Sequence, residues 1–243
     1  VASRGLGDVY KRQDLDSAIE SVAPAVGANT ALLPILNGLL HYDALDARFG
    51  RERVPGGLCF IGATLGADGE VLHLGRPASI TFGLREGNAD GGVLARLAAA
   101  YAQAGVDHLY APDIAAAQWI KYSFLAALAA GTCLMRASVG MIVAAEGGEA
   151  FMAALHAECL AVAAAEGHPV PEDEARTARA GLTRAGSPVT ASMLRDLQAG
   201  LRVEALQIVG DMVHRAHRAG LQVPRLEAAW VHLQAYESAR TSG

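Results

Sequence analysis

The chain has 243 residues, of which 52% are hydrophobic and only 5% aromatic, and a formal net charge of −5. That length accommodates one or two domains with a real core, and the mildly acidic balance offers no basic stripe for nucleic acid. Cys59, Cys133 and Cys159 are odd in number and far apart, as expected of buried thiols in a reducing compartment rather than a disulfide frame or zinc site.

The chain opens with an anomaly. Asp8-Val9-Tyr10-Lys11-Arg12-Gln13 is the translation of GAT-GTG-TAT-AAG-AGA-CAG, which resembles the transposon end used to build sequencing libraries. Residues 1–13 are therefore read as an artefact, with native sequence starting near Asp14 and whatever preceded it missing. They show no signal-peptide pattern. The longest apolar stretch, near Phe124 to Met135, is too short to cross a bilayer, so the expected location is the cytoplasm.

Leu15, Ile19 and Val22 mark a short helix that ends by Gly27. Thr30 to Leu36 is a compact apolar run that leads into Asn37-Gly38; it reads as a buried parallel strand, although Pro34 suits an edge better. A helix is expected across Leu39 to Phe49. Three strands follow, Gly56 to Leu65, Val71 to Gly75 and Ser79 to Leu84, with the last two separated by a turn at Arg76-Pro77. Gly91-Gly92 introduces a helix from Val93 to Ala104. This pattern is an α/β unit that finishes in a small mixed sheet.

After Asp107 the character is nearly all helical. A long helix is expected from Pro112 to Leu134, built from Ala and Leu and interrupted by no proline. Lys121 is the one formal charge between Asp113 and Arg136. An ammonium on a mostly buried helix either snorkels to water or is held inside for a purpose. Phe151, Leu155, Cys159 and Val162 mark the next helix. A short one is expected around Ser192 to Leu197. Leu206, Val209, Val213 and Ala216 line one face of another, and a last helix starts at Pro224 and buries Leu226, Trp230 and Leu233. Asp211, His214 and His217 have metal-like spacing, but their i, i+3, i+6 drift around the helix reads as a solvated polar face, with no metal site assigned.

Three segments, in this order, resemble the ketopantoate reductase (2-dehydropantoate 2-reductase) family. They are Leu36-Asn37-Gly38, Trp119-Ile120-Lys121, and Ser192-Met193-Leu194-Arg195-Asp196 followed after Gly200 by Glu204. Gly220-Leu221-Gln222-Val223-Pro224 also looks like the family's closing Gly-x-x-Val-Pro. Together they span the chain from Asp14 onward. The resemblance implies an α/β fold: an incomplete Rossmann-type NADP-binding domain over 14–108, then an all-α C-terminal domain over 109–243. It implies that NADPH reduces a 2-oxo acid or related ketone, with Lys121 as general acid and Glu204 helping to hold cofactor and substrate. Asn37 would lie beside nicotinamide and substrate, and Ser192 would contact substrate.

Two departures qualify the substrate. Leu125 and Ala129 stand where the best-known members carry asparagines, and Val203 replaces a common threonine. A pocket of this kind suits a small 2-oxo acid or carbonyl compound other than ketopantoate itself. The chain also contains no Gly-x-Gly-x-x-Gly turn, the element that cradles a dinucleotide's phosphates. Residues 1–243 alone are accordingly expected to hold NADPH weakly and to be inactive, with a homodimer as a candidate assembly. Two other readings fit the same residues: a different dehydrogenase of the same two-domain plan, and a non-catalytic helical association module in which Lys121 merely snorkels.

Overall fold

The computed structural model describes residues 15–66, 68–88 and 91–242, so the proposed artefact at 1–13 lies outside the described residues. The chain divides between Gln118 and Trp119 into two compact units, a Rossmann-like sheet-and-helix unit and a helical one.

The first unit starts with α1 (Leu15–Val22) and, after an irregular stretch, α2 (His41–Phe49). Their apolar faces meet in a small core of Leu15, Ile19, Tyr42, Leu45, Phe49 and Val54. The i, i+4 spacing of Leu15 and Ile19 places both on the buried side. Strands β1 (Gly56–Leu65), β2 (Val71–Gly83) and β3 (Asp107–Tyr110) form a sheet in that order, and α3 (Val93–Gln103) lies between the last two in sequence. β1 and β2 are antiparallel, while β2 and β3 are parallel. A parallel neighbour requires a crossover, and α3 supplies it.

Three expectations need correction here. Thr30 to Leu36 is not a strand: it is extended, but it is tied to the frame by a backbone bond from Leu32 N to Arg53 O at 2.8 Å and by Cys59 Sγ to Ile35 O at 3.6 Å rather than by a ladder. It passes over one face of β1 so closely that a Cβ on Gly57 would come within 2.5 Å of the Pro34 carbonyl oxygen. Val71 to Gly83 is one strand rather than two. The turn signal at Arg76-Pro77 survives as a bulge, where the register jumps from Ile61↔Ala78 to Ala63↔His73. β3 pairs only from Ser79 onward, so proline's missing donor costs no ladder bond on that side. Finally, the helical character begins after β3, a four-residue strand too short to show a period.

A buried polar joint secures the end of this unit. Gln118 Nε2 donates to the Tyr42 hydroxyl at 2.5 Å and to the Gly57 carbonyl at 3.2 Å, and Gly57 N donates to Tyr42 Oη at 3.0 Å. Arg85 grips Asp46 with both terminal nitrogens at 2.8 Å and stacks over the Tyr42 ring at 4.0 Å. Burial raises the Tyr42 pKa, so the hydroxyl keeps its proton.

The second unit is built on α4 (Ile114–Met135), which begins in the first unit. Asp113 opens it, accepting from Ala116 N at 2.9 Å. Then come α5 (Val139–Ala144), α6 (Gly148–Ala165), α7 (Glu172–Leu182), α8 (Ser192–Gln198), α9 (Asp211–Arg218) and α10 (Pro224–Ser242). A π-turn at Leu206–Gly210 runs directly into α9. A Cβ on Gly131 would reach 2.6 Å from Met152 Sδ, so this position makes room for the Met152 and Leu155 side chains of α6. α6 is long and apolar enough to cross a membrane by composition, yet it packs against α5, α7, α9 and α10.

α4 ends in a Schellman-type turn: Ala137 N donates to Thr132 O at 3.3 Å, and Arg136 takes the left-handed position with φ 51°. At the far side of the unit, the buried Glu158 carboxylate of α6 caps α10. It accepts from Arg225 N at 3.1 Å and Leu226 N at 2.9 Å, and pairs with Arg225 Nη1 at 3.1 Å.

Candidate active site

Asn37 stands at the end of the extended segment, in the turn that precedes α2, and is half-buried. Gly38 beside it has φ 75°, a value that a side chain would resist, which is the physical content of the Asn-Gly pair. Asn37 belongs to the first unit. Lys121, Ser192 and Glu204 all belong to the second.

Lys121 sits in the second turn of α4 and is half-buried, between the buried Trp119 and Tyr122. One turn on, Leu125 is half-buried, while Ala129, two turns on, is fully buried. Glu204 is half-buried and immediately precedes the helical run that starts at Ala205, and its carbonyl accepts from Ile208 N at 3.2 Å. A carboxylate at that end of a helix is favoured by the peptide dipoles. Ser192 is exposed and opens α8, which is tied to α4 through Ala191 N and Thr132 Oγ1 at 3.4 Å. Thr132 lies eleven residues beyond Lys121. At the rise of an α-helix that is about 16 Å, so Lys121 and Ser192 mark two ends of a stretch of α4 rather than one point.

The loop ahead of Glu204 is anchored from α10. Glu237 Oε1 accepts from Val203 N at 2.8 Å, and the Tyr236 hydroxyl donates to Leu201 O at 2.6 Å. Val203 is buried, so an apolar residue there packs inward.

Beside Lys121 lies a buried network that no sequence pattern revealed. The Tyr122 hydroxyl is 2.9 Å from the Ile208 carbonyl oxygen and 3.0 Å from Asp211 Oδ2. Arg215 donates through Nε to Asp211 at 2.9 Å, pairs with Glu166, and lies over the Trp119 ring at 5.4 Å. His168 stacks on the same Trp119 ring, with centroids 5.8 Å apart. Burial and the Asp211 charge push the Tyr122 pKa well up. Burial disfavours the Arg215 charge, but Asp211 and Glu166 outweigh it and raise its pKa. From Trp119 to Tyr122 the contacts on the partner helix move back from Arg215 to Ile208, so α4 and α9 run antiparallel.

The solvated-face reading of Asp211, His214 and His217 is therefore wrong at its first member. Asp211 is buried and bonded to Tyr122 and Arg215: at about 100° per residue it lies on the edge of the arc that buries Met212, Val213 and Ala216, and the drift over i, i+3, i+6 carries only the two histidines out to solvent. His214 and His217 do face outward, the first edge-on to Trp230 and the second 2.7 Å from Glu227. Cys133 and Cys159 are buried, and burial pushes the Cys133 thiol up to about 12 and that of Cys159 higher still, which leaves both unreactive.

Among the described residues no strand leads through a Gly-x-Gly-x-x-Gly turn into a helix.

Comparison with known proteins agrees with this architecture. Residues 9–87 match the model of "Ketopantoate reductase PanE/ApbA", and residues 113–237 that of "Ketopantoate reductase PanE/ApbA C terminal". The chain is 33% identical over 232 residues to the uncharacterized oxidoreductase YkpB of Bacillus subtilis (strain 168), covering 94% of this chain and 75% of that protein. Among solved structures it is similar to a PanE/ApbA family ketopantoate reductase from Ralstonia eutropha JMP134, with 27% identity and a TM-score of 0.82 over 95% of this chain and 74% of the other. A 2-dehydropantoate 2-reductase from Geobacter metallireducens GS-15 gives 28% identity and a TM-score of 0.82, over 93% and 74%. A D-mandelate dehydrogenase with bound NADH and anilino(oxo)acetate shares the fold at 17% identity and a TM-score of 0.82, over 95% and 75%. With both of its units matched, the chain belongs to the ketopantoate reductase (PanE/ApbA) family of oxidoreductases.

Proposed function

We propose that this protein reduces a 2-oxo acid or related small ketone with NADPH, a reaction of the 2-dehydropantoate-to-pantoate type, and that Lys121 is its general acid. The observation that carries the reading is Lys121 itself. It is the one lysine among the described residues, every other fixed cation there being arginine, and it sits half-buried on an otherwise uncharged stretch of α4. Lysine is the cation that can give up a proton; arginine is not.

The cofactor supplies a hydride to the carbonyl carbon. As charge develops on the carbonyl oxygen, the Lys121 ammonium stabilises it and delivers the proton. Glu204 supplies the opposite charge that favours the ammonium form of the lysine. Asn37 orients the reacting end, and Ser192 meets the far end of the substrate with a neutral hydrogen bond. A substrate that reaches from Lys121 toward Ser192 passes over Leu125, which offers no hydrogen bond. The preferred compound is therefore a 2-oxo acid whose remaining substituent is apolar.

The test is turnover across a panel of 2-oxo acids and ketones with NADPH and NADH. It is run on the chain as it stands and with a strand–glycine turn–helix unit supplied ahead of Asp14. Lys121→Ala should lower kcat by about 100-fold or more with little change in KM, since the oxyanion contact strengthens only in the transition state. Near-normal kcat in that variant would remove the general-acid role.

A further inference from the structure

We propose that the π-turn at Leu206–Gly210, held open by the Tyr122 hydroxyl, is a positioning device that sets the direction of Glu204 relative to Lys121. The proposal rests on the reading of Lys121 and Glu204 as a proton-donating pair.

A π-turn carries one extra residue, so everything N-terminal to it is rotated by about 100° against an uninterrupted helix. Burial records that rotation. Leu206, Val209, Val213 and Ala216 are spaced for one α-helical face, yet Leu206 is 41% exposed while the other three are buried. Val203 and Ala205 are buried in its place. Glu204 lies between those two and turns with them. In a regular helix it would point elsewhere.

Keeping the turn open requires a partner for the carbonyl it releases. Asp211 N reaches back five residues to Leu206 O, passing over the Gln207 carbonyl that a regular turn would use, and the Tyr122 hydroxyl faces that stretch, 3.5 Å from Gln207 O and 2.9 Å from Ile208 O. That hydroxyl is also 3.0 Å from Asp211, which is fixed in turn by Arg215 at 2.9 Å. Arg215 is held by Glu166 and by the face of Trp119. Gly210 completes the device: a Cβ there would come within 3.0 Å of the Trp230 ring, so α10 closes directly over the turn. The tyrosine that holds the turn is the residue after Lys121. One short stretch of α4 thereby fixes the lysine and, through the turn, the direction of the carboxylate. Two groups that must cooperate within an ångström are referred to one anchor.

The experiment uses the chain as it exists and needs no turnover. Lys11 and Lys121 are its two lysines. Reductive 13C-methylation therefore gives two side-chain signals, with Lys11 identified by Lys11→Arg, and the Lys121 midpoint is read by NMR titration. Glu204→Gln should lower that midpoint by about one pH unit, the effect of losing a nearby opposite charge. Tyr122→Phe, which keeps the ring and removes the hydroxyl, should shift it in the same direction. The double variant should shift it no further than Glu204→Gln alone. Deletion of Gln207, which restores a regular helical turn, should reproduce the Glu204→Gln midpoint with helical circular dichroism retained, and it decides the matter if Tyr122→Phe fails to fold. A midpoint unmoved by Tyr122→Phe and by the deletion, but moved by Glu204→Gln, would overturn the positioning role and leave the pair standing. A midpoint unmoved by Glu204→Gln would overturn the pair and the positioning role with it.

Discussion

Removing the carboxylate that caps α10 should destabilise the helical unit more than the loss of any of its exposed ion pairs. In Glu158→Ala the N–H of Leu226 loses its acceptor in a place where Leu226 is fully buried and water cannot follow. An orphaned buried donor of this kind costs about 1–3 kcal/mol. The Arg225 N–H is only partly buried and should recover some solvent, adding about 1 kcal/mol. Loss of an anion at a helix N-terminus adds about 1 kcal/mol in a partly buried setting. The Arg225 guanidinium is 42% exposed, so its released ion pair contributes little. The expected total is about 3–5 kcal/mol. Glu158→Gln retains one carbonyl acceptor and should cost about 1–2 kcal/mol. Trp119 and Trp230 both belong to the second unit, so tryptophan fluorescence in a guanidinium titration isolates its transition. Stabilities of the alanine and glutamine variants that agree within error would refute the assignment of the stabilisation to capping.

His156 is buried, and burial, with the Arg179 charge, depresses its pKa to about 4 from 6.5. Its folded value lies below its unfolded one, so its contribution is fully present above pH 6.5 and is lost as the pH falls toward 4, a linkage of about 3 kcal/mol; His156→Leu should flatten the measured stability over that window. Arg136 holds a left-handed backbone that glycine adopts without strain, so Arg136→Gly should raise the melting temperature, by about 0.5–1 kcal/mol in stability, whereas Arg136→Ala should not. In Gly57→Ala the new Cβ meets backbone, the Pro34 carbonyl oxygen at 2.5 Å. The segment leading to Asn37 must then shift, at a cost of about 1–3 kcal/mol, and hydrogen exchange across 31–37 should rise.

What could be read in advance followed from physical period. α4, α6 and α10 announce themselves through long runs of helix formers, and Pro224 marks a helix start because its missing donor costs nothing there. β3 has four residues, α5 six, and the face of α7 is mostly charged, so none presents enough repeat to be recognised. The π-turn defeated the pattern directly: spacing that put Leu206 on the buried face assumed 3.6 residues in every turn. Asp211 was misjudged because its surroundings are set from outside its own helix: Tyr122 of α4 meets it there, and Glu166 holds its i, i+4 partner Arg215 from a position no local spacing relates. Of the candidate site, Lys121 stood out because a lone charge on an apolar helix is conspicuous, whereas Asn37, Ser192 and Glu204 are ordinary turn and helix-end residues when taken one at a time.

From Ala126 to Cys133 the buried residues of α4 are, Leu128 apart, alanine, glycine and other short side chains, with Met152 and Leu155 of α6 against Gly131, and this limits how the protein can diversify. A side chain with no rotamers cannot repack to absorb a change elsewhere, so the helix behaves as a rigid ruler with marks about 1.5 Å apart. Accommodation of a longer or shorter substrate cannot come from sliding or bending that ruler. On the proposed placement of substrate between Lys121 and Ser192, it would come in whole helical turns, by exchanging what stands at 125, or by redrawing the loop that leads into α8. Divergence of substrate within this architecture is therefore expected to proceed in steps rather than by gradual drift.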